Sequence, residues 1–120
     1  MLSDPRLARG VEAFNAGQFF TAHEIWEQLW LETVGAEKLL LQGLVQIAAG
    51  YVKVEIGGRA GAIKLLARGI ERVRQFGPTA LGLALGPFIE GVEADLHRLR
   101  AAPAATASLE QMRVPYLRLS

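Results

Sequence analysis

Between Ala36 and about Ile56 the chain is apolar almost all the way round a helical wheel. A helix of that kind is stable only when other helices enclose it. Its one distinctive strip is Gln42, Gly43, Gln46, Gly50 and Lys53. Two glycines inside a helix cost about 1 kcal/mol each relative to alanine, so another helix is expected to approach closely on that side. The two glutamines share the strip, and whatever packs there must offer hydrogen-bonding partners. With 120 residues in all, the expected fold is all-α: one compact bundle of about five helices, made of helical hairpins, with this apolar third helix at its centre.

The remaining segments supply the surround. Asp4 before Pro5 is a carboxylate cap with proline at the first helical position, and Leu7, Val11 and Phe14 give that first helix one buried stripe. Asn15-Ala16-Gly17 ends it. A second helix starts near Gln18, which makes the tighter hairpin, or at Thr21, where Thr21-Ala22-His23-Glu24 has the form of a capping box; the start at Gln18 is preferred. Thr33-Val34-Gly35 closes it. After Gly57-Gly58, a fourth helix runs from Arg59 to about Gln75, burying Ala62, Ile63, Leu66, Ile70 and Val73. Thr79 to Gly86 reads as a loop or a short helical turn, and Pro87 opens a fifth helix with Phe88, Val92, Leu96 and Leu99 inside. The helical domain thus spans 1–101. Residues 102–120 read as a linker, Ala101 to Ala107, followed by a tail too apolar to be simply solvated, which docks on the body or on a neighbour. Pro115 excludes a continuous helix there.

The chemistry concentrates in Ala22-His23-Glu24-Ile25-Trp26-Glu27-Gln28-Leu29-Trp30. At roughly 100° per residue, Phe19, His23, Trp26 and Trp30 fall on one face, Glu27 lies at its edge one turn beyond His23, and Glu24 points elsewhere. His23 and Glu27 at i and i+4 can share a divalent cation. A second histidine is missing from the zinc-protease position, and His97 falls opposite the buried stripe of the fifth helix. A ligand set would need Glu24, another carboxylate or a second subunit. The candidate catalytic residues are therefore His23, Glu24 and Glu27, with His23 as ligand or general base, and the candidate metal ligands are His23 and Glu27. The competing reading is a buried hydrogen-bonded network without chemistry, in which Glu27 orients His23 and Gln42 or Gln46 meets them from the third helix. In that interior network, His23→Ala should cost roughly 1–3 kcal/mol. Trp26 and Trp30 with Tyr51 could wall a ligand pocket beside Gln42 and Gln46, although at helical spacing aromatic residues more often build a core.

These residues also carry a resemblance. Phe14-Asn15 with Gly17, Ala22-His23-Glu24 through Trp26-Glu27 to Trp30, Leu41-Gln42-Gly43-Leu44 with Gln46, and Gly58 with Gly61-Ala62 together resemble the bacterial and archaeal domain-of-unknown-function 309 family. The resemblance runs from about Val11 to Phe76. It implies a small all-helical bundle whose signature positions are His23, Glu24, Glu27, Trp30, Gln42 and Gly43. It implies no reaction and does not extend to the tail after Ala101.

Composition narrows the partners. With 13 basic and 12 acidic residues the net charge is +1, so no bulk field favours nucleic acid or an acidic membrane. Arg59, Lys64, Arg68, Arg72 and Arg74 make the fourth helix basic, but Glu71 interrupts them and no aromatic residue interleaves, which describes a solvated face. The absence of cysteine removes disulfides, thiolate ligands and a cysteine nucleophile. The expected chain is cytoplasmic, without a signal peptide or a membrane span. Two functions stay open: a ligand, metal or catalytic site on the second helix, and a structural or interaction module that meets a protein partner or a second copy through its hairpins and tail.

Overall fold

The computed structural model describes residues 4–102 and 108–119. Five helices carry the fold: α1 Pro5–Asn15, α2 Phe19–Glu32, α3 Ala36–Glu55, α4 Arg59–Arg74 and α5 Leu85–Ala101. Each packs on the next in chain order, so α3 lies between α2 and α4. Leu40, Leu41, Leu44, Ile47, Ala48, Tyr51 and Val54 of α3 are all buried, as an all-round apolar helix requires.

Local chemistry sets the helix ends. Asp4 caps α1 by accepting from the Arg6 amide at 2.9 Å, and Pro5 opens the helix. Gly17 leaves it at φ 79°, a backbone state that glycine reaches without steric cost. The second helix starts at Phe19 with Gln18 at the cap, so Thr21 lies inside the first turn and its capping box is not used.

The glycine strip of α3 meets α4, as its cost implied. A Cβ on Gly43 would lie 2.7 Å from Val73 Cγ2 and 3.2 Å from the Gly69 carbonyl, while one on Gly69 would lie 2.8 Å from the Gly43 carbonyl. The two backbones approach so closely that neither position has room for a side chain. Aromatic rings join the other helices. Phe14 of α1 touches Phe19 and Trp26 of α2, Tyr51 of α3 and Phe88 of α5, with centroids between 5.1 and 5.9 Å.

Two expectations are corrected. Thr79–Gly86 is neither loop nor helical turn: Thr79–Ala80 (β1) and Leu83–Ala84 (β2) form a hairpin. Leu81 and Gly82 both take positive φ, 53° and 73°, which matches the twist of a two-residue hairpin loop. As a result α5 begins at Leu85 rather than at Pro87.

The tail docks on the body of its own chain. A 3-10 turn, Leu109–Gln111, precedes an extended run in which Met112 and Leu117 are buried. Pro115 covers Gly91, where a Cβ would lie 2.5 Å from the proline ring. Asn15 then clamps Leu117 from both sides, donating to its carbonyl at 3.0 Å and accepting from its amide at 2.8 Å. Arg118–Leu119 (β3) pairs antiparallel with β2. Of the expected linker, residues 103–107 lie outside the described residues. Among the described residues no helix is long and apolar enough to cross a membrane.

Candidate functional site

The buried side of α2 is Phe19, Ala22, Trp26 and Leu29. At about 100° per residue the centre of that stripe lies roughly 80° from His23 and roughly 120° from Glu27. His23 is therefore not inside the apolar stripe as expected. Small Ala22, fully buried, lets the packed face turn toward the Ala22–Leu29 side, and His23 moves to the flank. Its side chain is 24% exposed and that of Glu27 is 44% exposed.

On this flank the two residues do meet. His23 Nε2 lies 3.0 Å from Glu27 Oε2, and the imidazole stacks under the Phe20 ring with centroids 6.1 Å apart. His23 Nδ1 is buried without a hydrogen-bond partner among the described residues. The pair sits in a shallow groove of about 390 Å³ lined by Phe20, His23, Glu24, Ile25, Glu27, Gln28 and Leu31. Every lining residue belongs to α2. Glu24 is exposed and makes no ion pair among the described residues.

The expected seam between the second and third helices does not form. Gln46 accepts from Arg72 Nε of α4 at 3.0 Å, because the glycines at positions 43 and 50 turn that strip of α3 toward α4. Gln42, half-buried one turn earlier, makes no hydrogen bond to His23 or Glu27. The polar seam of α3 therefore serves α4, and Arg72 belongs to it rather than to a solvated face.

The aromatic residues separate in the same way. Trp26 is fully buried against Phe14 and donates from Nε1 to the Leu7 carbonyl at 3.2 Å, seated over Gly10. It cannot wall an open pocket. Tyr51 is also fully buried, in contact with Phe14 and Phe19. Trp30 is half-buried, with Lys38 Nζ 4.8 Å from its ring centroid, within the range of a cation–π contact.

As a metal centre, the α2 flank offers His23 and Glu27. Among the described residues no group of three or more His, Cys, Asp or Glu side chains could hold an ion, so a divalent cation there would need donors from outside this chain. His97 is exposed and lines a different groove, between α4 and α5, beside the Arg74–Glu93 ion pair at 2.7 Å.

A second polar centre escaped the sequence reading. Asp95 of α5 has no exposed surface, the only charged residue so enclosed among the described residues. Its Oδ2 accepts from the Tyr51 hydroxyl at 2.7 Å, and its Oδ1 accepts from Arg98 Nη1 and from the Arg113 amide, both at 2.7 Å. The signal was present in the spacing, since Phe88, Val92, Asp95 and Leu99 recur at four, three and four. A carboxylate on an inward stripe must be satisfied from several sides. Burial, and then the neighbouring Asp95 carboxylate, push the Tyr51 phenol well above its ordinary pKa. This cluster ties α3, α5 and the tail together and has no opening among the grooves described.

A family model described as Domain of unknown function (DUF309) matches residues 7–65. That span contains α1, α2, α3 and the start of α4, including His23, Glu24, Glu27, Trp30, Gln42 and Gly43. No curated protein matches the chain.

Proposed function

We propose that this chain, which a DUF309 family model matches over residues 7–65, is a helical interaction module whose docking surface is the outer flank of α2. One observation carries the reading: all seven residues lining the groove at His23 come from a single helix. Small molecules are held in concave sites that bury most of their surface. One helix is convex and cannot wrap a ligand, but it can pack against another element. The groove also ends in two large apolar side chains, Phe20 at 58% exposure and Leu31 at 62%, and large apolar side chains exposed on one face mark interaction surfaces.

A catalytic or metal-binding role for His23, Glu24 and Glu27 is the second reading. It draws on the buried, unpartnered Nδ1 of His23, and near-stoichiometric zinc, iron or manganese in purified protein would favour it.

Photo-crosslinking in cells tests the first. A crosslinking amino acid at Glu24 or Gln28 should give a discrete protein adduct that the double variant Phe20→Ser/Leu31→Ser abolishes. The same probe at Lys64 should give none. Equal labelling at all three positions would end the docking reading.

A further inference from the structure

We infer that the outer face of α2 takes a basic amphipathic helix from another protein. This rests on the docking reading and adds the partner's chemistry. Phe20 and Leu31 are eleven residues apart, about 16 Å along the axis. Between them lie His23, Glu24, Ile25, Glu27 and Gln28, and no lysine or arginine lines the groove. Glu24 has no ion pair among the described residues, and Glu27 has only the neighbouring imidazole. A face with apolar ends and an acidic middle is complementary to a helix with two apolar anchors about three turns apart and Lys or Arg on the turns between. A helix suits the ridges of α2 because side chains at three- and four-residue spacing interdigitate.

The same charges disfavour the other occupants. In an antiparallel two-fold pairing that seats Phe20 on the partner copy's Leu31, residue 24 of one copy meets residue 27 of the other. Two carboxylates would then be enclosed face to face. Nucleic acid and anionic lipid carry the charge that this face repels. Elsewhere the basic α4 face would be a poor match for a basic partner.

The test is a titration of the full chain, followed by backbone amide NMR, with three synthetic helical peptides. All have two leucines about eleven residues apart; the turns between carry arginine, glutamine or glutamate. The arginine peptide should shift the α2 amides and bind at least about tenfold more tightly than the glutamate peptide, a difference of about 1.4 kcal/mol. Glu24→Gln/Glu27→Gln should erase that preference while leaving the fold intact, and Phe20→Ala should weaken all binding. Equal affinity for the three peptides overturns the basic class and leaves the docking surface standing. Concentration-dependent self-association that shifts the α2 amides overturns it in favour of a second copy. If no peptide moves α2 but the cell crosslink at Glu24 persists, the helical partner is wrong and the docking reading survives. If both fail, both fall.

Discussion

Two polar groups in this molecule have similar chemistry and opposite circumstances. Asp95 is sealed in the interior and accepts three hydrogen bonds at 2.7 Å, from α3, from its own helix and from the tail. Glu27 reaches one neighbour, His23, at 3.0 Å on an open flank. A buried carboxylate without partners costs several kcal/mol, so the first arrangement is forced to be complete. The second is partly open to water, which reaches the Glu27 carboxylate and can replace what the protein does not supply there. The comparison teaches that the pair most eye-catching in sequence is held by far fewer protein contacts than the buried carboxylate.

Three measurements break or sharpen that contrast. The largest effect is expected at Asp95. Asp95→Ala strands the Tyr51 hydroxyl and the Arg113 amide and should destabilise by about 3–5 kcal/mol, read as a fall in the urea midpoint. A loss under about 1 kcal/mol would mean water enters the cluster freely.

A middle-sized effect is expected at Tyr51. Tyr51→Phe removes one of the three donors and should cost about 1–2 kcal/mol. It also carries a pH signature. The folded phenol is held above its ordinary pKa of 10.0, so the folded chain keeps a proton that the unfolded chain gives up. That contribution is fully present below about pH 10 and is lost as the pH rises through the raised folded value. Urea midpoints of the parent chain should therefore decline above pH 10, and Tyr51→Phe should flatten the decline. An equal decline in both would assign the alkaline loss to another group.

The smallest effect is expected at His23. An interior histidine predicted a cost of roughly 1–3 kcal/mol; on its half-buried flank His23→Ala should change stability by less than about 1 kcal/mol. A cost above 1 kcal/mol would show that its packing under Phe20 is structural after all.

Much of the fold was legible because its causes are local. Asp4 and Pro5 mark the start of α1 by side-chain chemistry confined to one turn. The glycines of α3 announce a close neighbour because only a close approach offsets their cost, and α4 is that neighbour. The resemblance carried by the His23-to-Trp30 run and by Gln42-Gly43 matches the family found over residues 7–65. The hairpin at 79–84 was less legible: its loop is Leu81-Gly82, and leucine at φ 53° is not a residue that advertises such a turn. For the candidate site, adjacency of His23 and Glu27 followed from i,i+4 spacing, but their surroundings did not. Whether His23 faces in or out depends on a rotation of α2 of less than 90°, and that rotation is set by Ala22 and Leu29 against the other helices.

What the sequence determined alone is the set of helices, their order, the burial of α3 and the contact between His23 and Glu27, because each follows from periodicity and turn chemistry within a few residues. Tertiary structure decided which neighbour answers each polar group: Arg72 for Gln46, and Tyr51 with the Arg113 amide for Asp95. Those pairings join residues far apart in the chain. They are selected by how helices rotate and pack as rigid bodies, and one helix's sequence does not contain that information.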